Sequence, residues 1–267
     1  MGKYMKKNLK NKKLVIFDID GTLTPSKAPA DREMISLLLR LLGEKMIAVI
    51  GGGKYDLFKN QLVRRLPKRD ERLERLFLFP TNSTAFYRYM PDGSWRKVYS
   101  HELSRAEKKK IKAAFAAAFK KINYKHPVKT WGPVIEDRGT QITFSALGQE
   151  VVQKLGKRGL ELKEEWHKKS DVRPQFMRAL RKLLPKFEVR QGGLTSVDVT
   201  RKGIDKGYGV RQIEKKLRVK RKEMLFVGDA IFPGGNDYAA VKTGVDYVKV
   251  NDPEDTKKVI RSIVGSR

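Results

Sequence analysis

Apolar positions 14–17 form an unbroken run, Leu14-Val15-Ile16-Phe17, that stops at Asp18. A polar loop reaches residue 30, and a helical pattern starts at Asp31, a residue type that caps helix N-termini. Residues 45–50 repeat the buried-strand pattern and end in Gly51-Gly52-Gly53; residues 55–66 have helical spacing, and 75–79 read as a third strand, stopped by Pro80. Such alternation of strand and helix predicts a parallel sheet flanked by helices.

The middle of the chain reads differently. Residues 85–90 and 95–99 predict an antiparallel hairpin around the turn Pro91-Asp92-Gly93-Ser94. An Ala- and Lys-rich helix at 104–121 follows, then strands at 134–137 and 141–145, a helix at 172–184, and strands at 186–191 and 196–200. The strand–helix alternation then resumes: a helix at 208–217, a strand at 224–227, a helix after Asn236, a strand at 247–250 and a helix from Pro253. The expectation is an α/β core, residues 1–85 and 199–267, split by an inserted α+β domain at 86–198.

Composition narrows the chemistry. Cysteine is absent, which excludes disulfides, thiolate metal sites and a cysteine nucleophile. No apolar stretch approaches the ~18 residues a membrane span needs, and residues 1–13 are basic and polar. The expected location is therefore cytoplasmic, with no membrane partner. The net charge of +29 gives a long-range attraction for polyanions, so nonspecific polyanion binding is expected at low salt. The basic residues are dispersed through helical stretches, and no zinc-finger or aromatic RNA-binding motif accompanies them. The three histidines lack metal-ligand spacing, and the tryptophans read as packing residues.

Both Asp18 and Asp20 lie directly after the first strand, where ligands of open parallel sheets bind. With Gly21 letting the chain turn, the pair could supply one oxygen nucleophile and one proton donor or acceptor. Gly51, Gly52 and Gly53 close the second strand ahead of a helix, a setting in which backbone N–H groups could cradle phosphate. Lys206 sits in Gly-Ile-Asp-Lys-Gly at the start of a helix where the core resumes, a compact cation suited to phosphoryl oxygens.

The segment Asp18-Ile19-Asp20-Gly21-Thr22-Leu23-Thr24 resembles the first motif of the haloacid dehalogenase (HAD) superfamily. Gly203-Ile204-Asp205-Lys206-Gly207 resembles its lysine motif, and Gly228-Asp229 with Pro233-Gly234-Gly235-Asn236-Asp237 resembles its acidic fourth motif, as found in the phosphomannomutase-like branch of subfamily IIB. The resemblance covers nearly the whole chain. It implies a Rossmannoid parallel-sheet core with a C2-type cap, a magnesium cofactor and an aspartyl-phosphate intermediate. Asp18 would be nucleophile and metal ligand, and Asp20 general acid/base and backbone-carbonyl ligand. Asp229 would be a further ligand, Lys206 would neutralise charge, and Asn236 and Asp237 would orient the metal's waters or the lysine. A homodimer through the cap is a further expectation.

In the cap, Glu136-Asp137-Arg138 and residues 192–199 resemble that branch, which implies sugar-phosphate binding by Arg138, Ser196 and Asp198. Two departures matter. The second motif usually offers Ser or Thr, but residues 50–54 carry no hydroxyl, and Gln149 stands where the branch has an arginine. Arg173 matches an arginine of the branch and is assigned to fold support. An incomplete clamp favours letting water in, so a sugar-phosphate phosphatase ranks first and a phosphomannomutase second. A basic nucleic-acid-binding protein without turnover ranks last.

Overall fold

The computed structural model describes Leu9 and residues 11–265, so most of the basic stretch at 1–13 lies outside the described residues. Strand β1, Leu14–Asp18, is buried along its whole length. Val15 and Phe17 enter one apolar cluster and Leu14 and Ile16 another, as expected for a strand covered on both faces. Asp31 caps helix α1, Arg32–Glu44, by accepting from the Met34 N–H at 2.7 Å. The helix buries Met34, Ile35, Leu37, Leu38, Leu41 and Leu42, the stripe its i, i+3, i+4 spacing predicts.

Strand β2, Met46–Ile50, leads into helix α2, Tyr55–Gln61, which ends sooner than its pattern suggests. Strand β3 is Leu76–Phe79. The short turn after it, Pro80–Ser83, runs through left-handed backbone, with φ of 50° at Thr81, 53° at Asn82 and 70° at Ser83. It is held by the Thr81 N–H on the Gly53 carbonyl (2.8 Å) and the Asn82 N–H on the Gly51 carbonyl (2.9 Å).

The hairpin of β4, Ala85–Tyr89, and β5, Trp95–Ser100, pairs antiparallel onto β3. It therefore extends the core sheet. Phe86 stacks on Phe79 with ring centroids 4.5 Å apart, and the compact inserted unit is His101–Ile204 rather than residues 86–198.

Within that unit, helix α3, Arg105–Lys121, begins with a capping box between Ser104 and Glu107. Strands β6, Ile135–Asp137, and β7, Ile142–Ser145, are followed by helices α4, Val151–Leu155, α5, Lys157–Ser170, and α6, Arg173–Leu183. Strands β8, Phe187–Gln191, and β9, Ser196–Arg201, complete an antiparallel sheet of order β6-β7-β9-β8. One face of this sheet packs Ile142, Phe144, Val197 and Val199 against α3 and α6, where Phe119 stacks on Phe176 at 4.4 Å. Arg173 is fully buried and bonds Asp171 and the Gly193 carbonyl, as its fold-support assignment expected.

The core resumes with α7, Lys206–Leu217, β10, Met224–Gly228, α8, Tyr238–Val241, β11, Asp246–Lys249, and α9, Pro253–Val264. Its sheet order is β11-β10-β1-β2-β3-β4-β5, parallel from β11 to β3. The chain leaves β1 toward β2 and returns beside it as β10, so the strand order reverses at β1/β10. No helix among the described residues is long and apolar enough to cross a membrane.

The Glu107 carboxylate also takes a two-pronged bond from Arg201, at 2.9 Å from Nε and 2.8 Å from Nη2. That guanidinium, with the Ser104 N–H, holds the Glu107 carboxyl down at about 2. A lowered folded value means stability that is present above the ordinary value of 4.5 and is lost as pH falls toward 2. Glu107→Gln keeps the cap and removes the charge. It should destabilise the inserted unit by about 1 kcal/mol at neutral pH, solvent screening included, with the difference vanishing near pH 2 in urea titrations.

Candidate active site

Asp18 is the last residue of β1 and is only 4% exposed. From there the chain folds back on itself: the Gly21 N–H bonds the Thr24 carbonyl at 2.8 Å and the Leu23 N–H bonds the Ile19 carbonyl at 3.1 Å. Gly21 has φ +83°, and a Cβ there would lie 2.7 Å from Asp229 Oδ2, so glycine is required both by conformation and by the close approach of the second carboxylate. Asp229 itself follows the end of β10, the strand beside β1.

Helix α7 supplies the cation. Asp205 caps it, accepting from the Tyr208 N–H at 2.7 Å, which fixes Lys206 as the first helical residue. The Lys206 side chain is 1% exposed; Nζ lies 2.6 Å from Asp18 Oδ1 and bonds Asp237 Oδ1. Asp237 is fully buried and its Oδ2 accepts the Ala230 N–H at 3.0 Å. The Thr22 hydroxyl approaches Asp229 Oδ1 at 3.4 Å.

Carboxylate oxygens of Asp18, Asp229 and Asp237 all lie within 4.8 Å of one another. Burial pushes the Asp18 carboxyl up; Asp237 and Asp229 add to the rise while Lys206 opposes it. Asp229 is raised by burial and then by Asp237. Burial would lower Lys206, but Asp18 and Asp237 outweigh it and hold the ammonium charged. Three carboxylates around one ammonium leave two negative charges uncompensated, a donor set of hard oxygens that fits a divalent cation such as magnesium.

The other expected core residues sit around this cluster. The Asp20 carboxylate takes no part in it: Oδ1 accepts from the Lys27 N–H at 2.6 Å and from Gln61 Nε2 at 2.9 Å. Gln61 escaped the sequence reading, although a glutamine on the apolar Leu57-Phe58-Leu62 side of α2 is a detectable signal. Asp237, expected to orient the metal's waters or the lysine, bonds Lys206 directly and also belongs to the acidic cluster. Asn236 is exposed, one residue before it.

The glycine loop is built for packing as well. The Gly51 N–H is taken by the Phe79 carbonyl at 3.3 Å, so it is no free phosphate donor. A Cβ on Gly51 would strike Ile19 at 2.6 Å, and one on Gly53 would strike Leu57 at 2.5 Å. Gly52 is half-buried between them.

In the inserted unit, the sheet face opposite Val197 and Val199 is polar. Register aligns Glu136, Thr143, Asp198 and Arg190 in one row across its four strands. Asp198 is buried and accepts the Thr143 hydroxyl at 2.8 Å, and Ser196 lies on the same face two residues earlier. Arg138 donates to Glu136 Oε2 at 2.8 Å and to Gln149 Oε1 at 2.9 Å. The structure thus brings Arg138, Ser196 and Asp198 to one polar face, with Arg138 engaged by Gln149.

An open parallel sheet with a buried aspartate ending its central strand, a lysine at a returning helix and an inserted cap define a phosphoryl-transfer enzyme of the HAD superfamily. More narrowly, the chain belongs to the eukaryotic phosphomannomutase family, whose profile, described as "Eukaryotic phosphomannomutase", matches residues 34–266. Among curated relatives, phosphomannomutase of Saccharomyces cerevisiae is 28% identical over 253 residues, covering 94% of this chain and 93% of its own length. Phosphomannomutase 1 of Homo sapiens is 29% identical over 259 residues, covering 95% and 93%.

Solved structures share the fold at lower identity. IMP-nucleotidase of Plasmodium falciparum superposes with a TM-score of 0.69 at 16% identity, over 97% of this chain and 68% of its own. Trehalose-6-phosphate phosphatase of Aspergillus fumigatus gives 0.56 at 17% identity, over 98% and 96%.

Lys206→Met strips the buried Asp18 and Asp237 carboxylates of the one ammonium that pairs with them among the described residues. It should cost about 3–5 kcal/mol in thermal or urea unfolding without divalent cation. Added magnesium should recover part of that loss and raise the melting temperature of the wild type, but not that of Asp229→Asn.

Proposed function

We propose that the chain is a phosphomannomutase, moving a phosphoryl group between positions of a hexose phosphate by way of Asp18. The observation that carries this reading is the buried Asp18 carboxylate itself: Lys206 neutralises Oδ1 at 2.6 Å, which leaves Oδ2 to attack. Family membership and the named activity of the curated relatives support the mutase over the hydrolase that the missing arginine favours.

In the proposed reaction an Asp18 oxygen bonds to phosphorus as the bond from phosphorus to the sugar oxygen breaks. Asp20 gives its proton to the departing oxygen and takes one from the hydroxyl that next receives the phosphoryl group. A magnesium ion, held by Asp18, Asp229 and the Asp20 backbone carbonyl, would cancel the repulsion between a carboxylate and a phosphate dianion. Asn236 and Asp237 support that arrangement, and the loop of Gly51, Gly52 and Gly53 borders the phosphate. Arg138, Ser196 and Asp198 bind the sugar phosphate from the cap.

One observation favours a sugar-phosphate phosphatase as the second reading. The Arg138 guanidinium is shared between the Glu136 carboxylate and the Gln149 amide, so its charge is already partly spent. A weaker hold on the second phosphate would let water compete for the aspartyl phosphate.

The two are separated by incubating the protein with magnesium and mannose 1-phosphate, with and without glucose 1,6-bisphosphate, and following mannose 6-phosphate and free phosphate. The mutase predicts bisphosphate-dependent mannose 6-phosphate; dominant free phosphate would establish the hydrolase. Asp18→Asn should abolish either product, a loss of at least about 10³-fold.

A further inference from the structure

Gln61 ends helix α2 with no exposed surface. Its amide nitrogen donates twice, to Asp20 Oδ1 and to Thr24 Oγ1, both at 2.9 Å. The Thr24 hydroxyl lies 3.4 Å from the Ile19 carbonyl, an oxygen that can only accept. The hydroxyl proton therefore goes to Ile19, Thr24 Oγ1 must accept from Gln61, and the amide is locked with its nitrogen toward Asp20. Its backbone carbonyl is tied as well, accepting the Ala30 N–H at 2.8 Å.

Among the described residues the buried Gln61 Oε1 oxygen has no hydrogen-bond partner. A fold concerned only with stability would fill this site with an apolar side chain or turn the amide to satisfy its oxygen. Here the unsatisfied oxygen accompanies an amide nitrogen that gives one N–H to Thr24 and the other to Asp20. With the Lys27 N–H, it places two donors on Oδ1 and, among the described residues, none on Oδ2.

We infer that Gln61 is a positioning residue for phosphoryl transfer. By fixing Oδ1 of Asp20 in two hydrogen bonds, it presents Oδ2 as the single oxygen that exchanges a proton with the sugar oxygens. The inference rests on the roles proposed above for Asp18 and Asp20.

Such a residue matters in each step in which Asp20 moves a proton; transfer from p-nitrophenyl phosphate to Asp18 needs none, because p-nitrophenolate departs unprotonated whereas a sugar alkoxide does not. In Gln61→Met, kcat on mannose 1-phosphate should fall about 10- to 100-fold with KM within about threefold, while the pre-steady-state rate of p-nitrophenolate release from p-nitrophenyl phosphate, which reports that transfer alone, changes less than about threefold. Equal losses on both substrates would reduce Gln61 to a structural role and overturn the inference. Should Gln61→Met fold poorly, the double variant with Thr24→Val removes both ends of the second bond and serves in its place.

A wild type inactive on both substrates would defeat the phosphoryl-transfer reading instead. Crystal structures then decide the positioning itself: an Asp20 carboxylate found in more than one orientation in Gln61→Met supports it, and an unchanged single orientation overturns it.

Discussion

Everything in the core depends on burying Asp18 beside Lys206. An isolated carboxylate at the end of a fully buried strand would shift toward its neutral form and be useless as a nucleophile. Lys206 opposes that shift at 2.6 Å, and Asp237 holds the ammonium from its other side. The arrangement is not a stabilising device, since an apolar replacement of similar volume is often as good or better for stability. With Asp229 close by, the cluster keeps an excess of negative charge that a divalent cation relieves. Structure and chemistry are coupled here through one electrostatic imbalance.

That imbalance is assembled from distant parts of the chain by strand order. Because β10 returns beside β1, the residues following both strands meet, and the close approach of Asp229 to Gly21 is a direct result. Asp205 as a cap sets the rotation of α7 so that Lys206 points inward. The left-handed turn at Thr81 and Asn82 then clamps the glycine loop through the Gly51 and Gly53 carbonyls. Strained backbone of this kind persists where surrounding contacts over-determine it, and here it lies beside the site.

The inserted unit solves a different problem. Its sheet is covered by helices on one face only, so alternate residues divide cleanly into an aromatic core and a polar row. That alternation gives the sheet a polar face on which Asp198 is buried and Arg138 pairs with Glu136. Arg138 is held between the Glu136 carboxylate and the Gln149 amide, whose neutral oxygen accepts from the guanidinium.

Strand ends, caps and motifs were legible along the chain because they are local: an apolar run stopping at Asp18, Asp31 as a cap, and Gly21 at a turn. The hairpin at β4 and β5 was readable as a hairpin but not as part of the core sheet, since a strand's partner depends on long-range pairing. Helix α5 was missed because its buried positions include Gly159 and Lys163, which hide the apolar period. By itself the sequence determined where Asp18, Asp20 and Lys206 stand as candidates, because their local contexts, a strand end, a glycine turn and a helix start, are distinctive. Tertiary structure alone decided that Asp237 joins the acidic cluster, that Gly51 spends its N–H on the sheet, and that Gln61 hydrogen-bonds Asp20. Each of those depends on which buried polar atoms are left to satisfy one another once the chain has closed on itself.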